Sequence, residues 1–334
     1  MTGIQKQAAA QGNSSGIPPR RIVLFFVDGL GLGEGDPALN PLVTAPLPCL
    51  KNLLAGRPFI RAAAPFAGPQ AVLAAADACL GVDGLPQSAT GQTALFTGVN
   101  APAKLGRHLP AFPSPALREV LAAESIFRRL AARGAAVTSA NFYSPEYFTR
   151  GPEARHSATT LAILAAGAGL RQGLANLAQG QAVYHDLTNA MLAGRGHAVP
   201  VISPADAGRN LARIAMRHDL TLFEYFMSDF AGHSRDREEA AAVLAAVDEC
   251  LSGLLKEADL DTTLIVLTSD HGNIEDLGTA GHTQNPVPVL FIGCGRQAAE
   301  GRVAAITDIA PLLEDLWLAR VAQERLFAAK AAAE

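Results

Sequence analysis

Three apolar runs that each end in an aspartate constrain the fold of this chain more than any other feature of its sequence. They cover residues 21–28, 220–229 and 262–270, and the last residue of each run is the aspartate. Continuous aliphatic and β-branched runs are typical of strands that are buried on both faces. In open α/β sheets, ligands bind at the carboxyl ends of the strands. We therefore predict that Asp28, Asp229 and Asp270 converge on one edge of one sheet.

Three histidines accompany these aspartates. His233 follows Asp229 by four residues, His271 directly follows Asp270, and His282 completes a window of 54 residues. Taken singly, an aspartate after a strand is often a turn residue, and a lone histidine is more often a surface or core residue than a ligand. Together they favour a metal site for two ions, because buried ionisable groups are costly unless something binds them. Mixed carboxylate and imidazole ligands suit Zn²⁺ or Mn²⁺ better than Ca²⁺.

A serine-containing segment is the second notable feature. Residues 88–93 read Ser-Ala-Thr-Gly-Gln-Thr, and we predict that Ser88 is the N-cap of a helix from about 89 to 97 that stops at Gly98. A helix N-terminus presents N–H groups and a positive dipole end, which suit an anion such as phosphate. An isolated Ser-x-x-Gly is more often an N-cap and nothing more, so a functional interpretation depends on the aspartates and histidines.

The remaining pattern predicts one α/β domain. Helices are predicted at 115–133 and 236–258, and each precedes a strand, at 135–141 and 262–267. This alternation favours a mostly parallel sheet sandwiched by helices. We predict a disordered lead-in over 1–20, a single domain over 21–334, and a small helical insert over about 144–200 that is rich in Ala, Gly and Leu.

Composition and charge exclude several functions. The net charge is −4 without a basic run, which argues against nucleic acid or an anionic membrane as the main partner. Four scattered cysteines without a CxxC spacing indicate buried thiols in a reducing compartment. The N-terminal segment has no apolar core of a signal peptide, and the apolar stretch 161–170 is too short to span a bilayer. We expect a soluble, cytoplasmic protein.

The motifs in combination resemble the alkaline phosphatase superfamily. The resemblance is strongest to its metalloenzyme branch, which holds cofactor-independent phosphoglycerate mutase and phosphopentomutase. That branch carries Asp-Gly after the first strand, a Ser or Thr nucleophile, Asp-x-x-x-His, Asp-His-Gly-Asn and His-Thr-x-Asn-Pro-Val-Pro. The corresponding residues here are 28–29, 88–92, 229–233, 270–273 and 282–288.

The resemblance implies a metal-dependent phosphoryl transfer. One ion would be held by Asp229, His233 and His282, and the other by Asp28, Asp270 and His271. Ser88 would lie beside the second ion as the nucleophile that becomes phosphorylated, and would also be a ligand. The implied cofactors are two divalent ions, Mn or Zn, and the implied partner is a small phosphorylated substrate.

Two departures from the mutases favour hydrolysis. Gln92 stands where the mutases have a histidine, and an amide cannot donate a proton as an imidazolium does. The mutases also carry a large basic cap domain, whereas the insert over 144–200 is short and contains no lysine. Without a closing cap, water reaches a phosphoserine more easily. We therefore expect hydrolysis of a small phosphate monoester or diester, with a phosphomutase that has a minimal cap as the alternative.

Other readings fit the residues less well. A sulfatase needs an arginine shortly after its nucleophile, and positions 91 and 92 are Gly and Gln. A metal-binding scaffold without activity is the non-enzymatic alternative, but all seven positions expected next to the metals are intact.

Substrate contacts are less well defined by the sequence. Gln92, Lys104, Arg107 and His108 are candidates, and the last three can equally form a solvated loop. Tyr143, Tyr147 and Phe148 either form the wall of a pocket or pack an edge.

Overall fold

A seven-stranded sheet is the centre of the computed structural model, which describes residues 18–151 and 155–331. The predicted lead-in lies outside the described residues up to position 17, and the backbone N–H of Arg20 already donates to Thr262 O. The strands are β1 (Arg21–Val27), β2 (Phe66–Ala67), β3 (Ala71–Ala76), β4 (Val137–Ser139), β5 (Leu220–Tyr225), β6 (Thr263–Thr268) and β7 (Val287–Gly293). Their order across the sheet is β2-β3-β7-β6-β1-β5-β4.

The sheet is parallel in its core and antiparallel on one side. β1 pairs in parallel with both β5 and β6, and β4 pairs in parallel with β5. β7 runs antiparallel to β6 and to β3, which also pairs antiparallel with β2. The expected mostly parallel sheet with flanking helices is therefore confirmed, and its antiparallel part is the β2, β3 and β7 side.

Helices cover both faces of the sheet. They are α1 (Pro41–Thr44), α2 (Pro48–Leu53), α3 (Ser88–Thr97), α4 (Ala101–Leu105), α5 (Pro115–Glu124), α6 (Ile126–Ala131), α7 (Pro145–Phe148), α8 (Ala158–Ala165), α9 (Leu174–Ala178), α10 (Ala190–Gly194), α11 (Pro204–Ala215), α12 (Met227–Ser234), α13 (Arg237–Glu257) and α14 (Ile309–Ala331). Short 3₁₀ turns lie at Arg61–Ala63, Arg296–Ala299 and Ile306–Asp308. None of these helices is long and apolar enough to cross a lipid bilayer.

Alternating side chains of β1 enter two separate cores. Leu24 and Phe26 belong to the core under α3, and Phe26 meets Phe96 of that helix edge to face at 5.7 Å. Phe25 belongs to the core on the opposite face, where it lies 5.4 Å from Phe223 of β5. Both faces of the strand are thus buried, because its apolar run is continuous and does not alternate with polar residues.

The predicted helix over 115–133 is wrong in one respect, since the structure divides it into α5 and α6. Ser125 ends the first helix and begins the second with ψ near 130°. Its hydroxyl donates to Ala162 O of α8, so the break is stabilised by a tertiary hydrogen bond that apolar periodicity cannot reveal.

The described residues of the segment 144–200 form four short helices, α7 to α10, in agreement with the predicted small helical insert. α8 buries Ala162 and Ile163 in the core that also holds α3. The remainder has a small apolar cluster of its own around Phe142, Tyr184 and Leu192. Backbone bonds between Phe142 N and Val183 O and between Val183 N and Ala140 O attach it beyond the carboxyl end of β4. The insert therefore lies at the same sheet edge as the predicted site.

Candidate metal centre

The three aspartates lie at one edge of the sheet. Asp28 directly follows β1, Asp229 lies in the first turn of α12 just after β5, and Asp270 lies two residues after β6. Because β1 lies between β5 and β6 and is parallel to both, the three carboxyl ends are neighbours. The structure thus brings together the groups that the sequence placed at strand ends.

The first ligand group consists of Asp229, His233 and His282, whose potential ligand atoms all lie within 4.8 Å of one another. His233 Nε2 is 3.4 Å from one oxygen of Asp229, and His282 Nε2 is 3.5 Å from the other. His282 Nδ1 donates to the carbonyl of Pro86 at 2.7 Å. Since a carbonyl only accepts, this bond fixes the tautomer in which Nε2 offers its lone pair.

The second ligand group is formed by Asp28, Asp229 and His271, again within 4.8 Å. His271 Nε2 lies 3.2 Å from Asp28 Oδ1 and 3.6 Å from Asp270 Oδ2. The resemblance placed Asp270 where Asp229 appears in this group, so the structure puts Asp229 in both groups and Asp270 beside the second. Asp229 is therefore shared by the two ligand groups.

The electrostatics of this cluster suit divalent cations. Both carboxylate oxygens of Asp270, and Oδ1 of Asp28, are buried without a hydrogen-bond partner among the described residues. Burial, followed by the charge of Asp28, raises the pKa of Asp270 well above its ordinary value. Burial by itself would lower the pKa of His271, but Asp270, Asp28 and Asp229 raise it to about 10. One imidazolium cannot balance three carboxylates, so oxygen and imidazole donors with excess negative charge remain for cations.

His282 behaves differently from His271, although the two rings stack with centroids 3.7 Å apart. Burial lowers the pKa of His282 to about 4, and the charge of His271 acts in the same direction. At neutral pH His282 is therefore a neutral imidazole, which is the form that binds a metal.

Ser88 is the first residue of α3, and its predicted role as the N-cap is wrong. Gln87, with extended backbone at φ −139° and ψ 148°, occupies the cap position. The Ser88 hydroxyl instead lies 3.1 Å from His271 Nε2, beside the second ligand group. Gly91 permits this approach, because a Cβ there would lie only 2.8 Å from the carbonyl of Asp270. The glycine of Ser-x-x-Gly thus lets the helix pack directly on the end of β6.

Gln92 is buried and supports the centre. Its side-chain amide donates to Asp28 Oδ2 at 3.2 Å, which leaves Asp28 Oδ1 directed toward His271. Gln92 also lines the cavity of about 700 Å³ that contains Ser88 and the first ligand group.

The cationic loop residues lie elsewhere. Lys104 and Arg107 are exposed, and His108 contacts the carbonyl of Val82 at 3.2 Å. None of these three residues is among the residues that line the cavity around Ser88. Their positions outside the lining agree with a solvated segment around the end of α4 at Leu105.

Sequence reasoning missed Glu275, which is buried behind the ligands. Its carboxylate accepts from the backbone N–H groups of Gly31 at 2.9 Å and Asn273 at 2.7 Å. It also accepts from the Thr283 hydroxyl and from the Asn285 side-chain amide, the latter at 3.1 Å. The sequence signal was an acidic residue directly after Asp-His-Gly-Asn-Ile, where a solvated loop was equally plausible.

Asn273 and Glu224 were also missed. The Asn273 side-chain amide donates to Asp229 Oδ1 at 2.7 Å, so it orients that carboxylate. Glu224 lies within β5, where it accepts from the Thr159 hydroxyl at 2.8 Å. Burial, and then the charge of Asp28, raises the pKa of Glu224 to about 8. The sequence feature that could have indicated Glu224 is an acidic residue inside an apolar run, although strands also carry such residues without any function.

Parts of this chain are similar to known proteins. The model of the metalloenzyme superfamily matches residues 203–320. A 2,3-bisphosphoglycerate-independent phosphoglycerate mutase from Acetivibrio thermocellus is 36% identical over 107 residues, which are 30% of this chain and 20% of that enzyme. One from Dinoroseobacter shibae is 38% identical over 112 residues, covering 31% and 22% of the two chains. The chain thus matches about a fifth of the length of these curated relatives.

Solved structures extend the likeness to the whole fold. Thermus thermophilus alkaline phosphatase aligns over 94% of both chains with a TM-score of 0.57 and 13% identity. Leishmania mexicana phosphoglycerate mutase aligns over 91% of this chain and 96% of its own, with a TM-score of 0.56 and 10% identity. The fold is alkaline-phosphatase-like, and residues 203–320 match the metalloenzyme superfamily, which the motifs of the sequence resemble. Members of that superfamily are metal-dependent phosphoryl-transfer enzymes.

The Glu275 carboxylate yields a testable prediction. Glu275→Gln should lower the free energy of unfolding by about 1–3 kcal/mol, because an amide offers one acceptor oxygen where the carboxylate accepts from four donors. Chemical denaturation measures this loss. Glu119→Gln, at an exposed position of α5, is the matched control and should change stability little. Equal stability of the two variants would contradict a stabilising role of the hydrogen bonds to Glu275.

Proposed function

We propose that this protein is a divalent-metal-dependent enzyme that hydrolyses a small phosphate ester through a phosphoserine at Ser88. The observation that carries the proposal is the position of the Ser88 hydroxyl. It lies at the N-terminus of α3 and 3.1 Å from His271 Nε2, at the edge of two groups of potential metal ligands. A structural N-cap does not need such a position.

The residues at this edge suit two cations. Asp229, His233 and His282 would hold one ion, while Asp28 and His271, with Asp270 beside them, would hold the other. When bound, divalent ions supply Lewis acidity that polarises phosphoryl oxygens and lowers the pKa of a hydroxyl. We propose Mn²⁺ or Zn²⁺ because the donors are both oxygen and imidazole nitrogen.

The protein's own groups would position the substrate and the nucleophile. The positive end of the α3 dipole and the backbone amides of its first turn favour a phosphoryl group beside Ser88. The Ser88 oxygen would lose its proton to solvent and form a bond to phosphorus, while the ester P–O bond breaks and the ester oxygen leaves with the electron pair and takes up a proton from solvent. Water would then attack the same phosphorus, release inorganic phosphate and restore the hydroxyl. Gln92 would keep Asp28 in place throughout by its 3.2 Å hydrogen bond.

The lining of the cavity favours hydrolysis over mutation. Its described lining residues include neither lysine nor arginine, and Ser157 is the one contribution from the segment 144–200. A mutase must retain its dephosphorylated intermediate until the phosphoryl group returns, which calls for groups that hold the intermediate in place. The mutase alternative rests on the similarity to enzymes named phosphoglycerate mutase.

The metal requirement gives the first test. Protein purified without chelator should contain close to two Mn or Zn ions per chain, one for each ligand group. Asp270→Asn should lose at least one of them, whereas Asp315→Asn on the exposed side of α14 should lose none. Elemental analysis measures the content, and the melting temperature should rise when the ions are restored. Full activity of chelated protein would refute the metal dependence.

The reaction type gives the second test. With a ³²P-labelled phosphomonoester and either metal, the label should appear as inorganic phosphate, since water is the final acceptor. Chromatography of the products over time measures this. Quantitative movement of the label between two hydroxyls of one sugar or glycerate would instead establish the mutase alternative. Comparison of monoesters with diesters identifies the class of hydrolase.

The role of Ser88 gives the third test. Ser88→Ala should retain fold and metal but lose turnover by roughly 10³-fold or more, because the nucleophile is absent. Ser88→Thr should keep part of the activity, since it retains a hydroxyl. Acid quenching followed by peptide mass spectrometry should find phosphate on the Ser88 peptide of the parent. Ser252→Ala on α13 is the matched control. Parental turnover by Ser88→Ala would show that another nucleophile operates.

A further inference from the structure

A second cavity adjoins the one that contains Ser88. It has a volume of about 430 Å³ and is lined mainly by residues that follow β4 or belong to the segment 144–200. Ser157, Glu224 and Phe226 line both cavities. A ligand with its phosphoryl group at Ser88 can therefore extend past these three residues into the second cavity, which we call the aromatic cavity.

Aromatic rings form much of its wall. Tyr143 and Tyr147 meet edge to face with centroids 4.7 Å apart. On the other side, His185 lies between Tyr184, at 3.9 Å, and Phe226, at 4.6 Å. All five rings are among the lining residues. Aromatic walls of this kind favour a flat, apolar-faced ligand, because ring faces and edges attract one another at such distances.

Phe148 is not part of this wall. It packs against the rings of Tyr147 at 5.5 Å and Tyr143 at 6.5 Å and remains 45% exposed. Of the two readings that the sequence left open, Tyr143 and Tyr147 are pocket walls, and Phe148 packs an edge behind them.

The charges around the aromatic cavity argue against a second anionic group on the ligand. Arg150 and Arg195 line it, but the Glu146 carboxylate offsets part of their charge, and Glu224 adds a carboxyl group that is largely uncharged at neutral pH because burial raises its pKa to about 8. Arg150 is already stacked on Tyr147, with its guanidinium carbon 3.7 Å from the ring centroid. Burial lowers the pKa of His185 to about 4, so this ring adds no positive charge at neutral pH. The lining offers both hydrogen-bond donors and acceptors without a strong excess of positive charge.

We propose that the aromatic cavity binds the leaving group of the substrate and that this group carries a flat heteroaromatic ring of the nucleobase type. The ring would stack between the aromatic walls. Its acceptor atoms would face the arginines, and its amino or N–H groups would face the carboxyl groups. This inference rests on the proposed function, because the cavity that it extends is the one around Ser88.

A pair of substrates that differ only in the base tests this proposal. Adenosine 5′-monophosphate and ribose 5-phosphate carry the phosphate on the same sugar carbon. The parent protein should show a kcat/KM roughly ten-fold or more higher for the nucleotide, because stacking is available only to the base. Tyr147→Leu and Arg195→Ala should lower this ratio, and Tyr147→Phe, which keeps the ring, should preserve it. Phe327→Ala and Arg325→Ala, at exposed positions of α14, are the matched controls and should leave the ratio unchanged.

A binding measurement separates this proposal from the proposed hydrolysis. Adenosine, which has no phosphate, should bind to Ser88→Ala protein in saturation-transfer NMR, and the additional Arg195→Ala change should weaken that binding. Adenosine binding without release of phosphate from any ester would refute the hydrolysis while supporting the aromatic cavity. Phosphate release with a substrate ratio near one and no adenosine binding would overturn the aromatic cavity alone. A preference for esters with a second phosphate or carboxylate over the nucleotide would also overturn it.

Discussion

Hydrogen bonds to one buried carboxylate, that of Glu275, hold together the loops that carry the potential metal ligands. Gly31 belongs to the loop after Asp28, Asn273 follows His271, and Thr283 follows His282, and all three donate to Glu275. A buried carboxylate is costly unless donors surround it, so these loops are stable mainly in the arrangement that satisfies it. The same arrangement places the ligand atoms of each group within 4.8 Å of one another. These hydrogen bonds of the polypeptide favour the ligand geometry, and Asn273 extends them to Asp229 through its side-chain amide.

The position of β1 between β5 and β6 has an electrostatic cost. Parallel pairing brings three strand ends, and hence three carboxylates, to one place. Burial, and after it the charge of Asp28, raises the pKa of Asp270 and also that of the nearby Glu224. A fold that concentrates buried negative charge gains stability from cations that bind only its native state. If the proposed ions bind, stability and metal binding would be coupled in this sheet.

The sequence predicted the parts of this protein that depend on local pattern. Apolar runs located β1, β5 and β6, and their terminal aspartates located the edge where they meet. The sequence did not reveal Glu275 or Glu224, because Glu275 accepts from Gly31, 244 residues away, as well as from nearby donors, and Glu224 accepts from Thr159, 65 residues away. The prediction that Ser88 is an N-cap was wrong for a similar reason, since the Ser88 hydroxyl contacts His271, 183 residues further along the chain. The break at Ser125 also depends on a distant carbonyl, that of Ala162. Long-range hydrogen bonds leave no periodicity in a sequence.

The two cavities are lined largely by different parts of the chain, and only one of these parts matches the metalloenzyme superfamily. The metalloenzyme model matches residues 203–320, which supply most of the potential metal ligands together with Glu224 and Phe226. The segment 144–200 lies outside that match and supplies Tyr147, Arg150 and Arg195 to the aromatic cavity. Glu224 of β5 connects the matched part of the chain with the insert. It lines both cavities and accepts a hydrogen bond from Thr159 of the insert. Under the two proposals, the matched residues would carry the phosphoryl chemistry and the insert would determine which leaving group fits. On the proposed leaving-group site, a change in the insert would alter specificity without displacing Asp28, Asp229 or Asp270, because the strands and the loops around Glu275 hold those carboxylates.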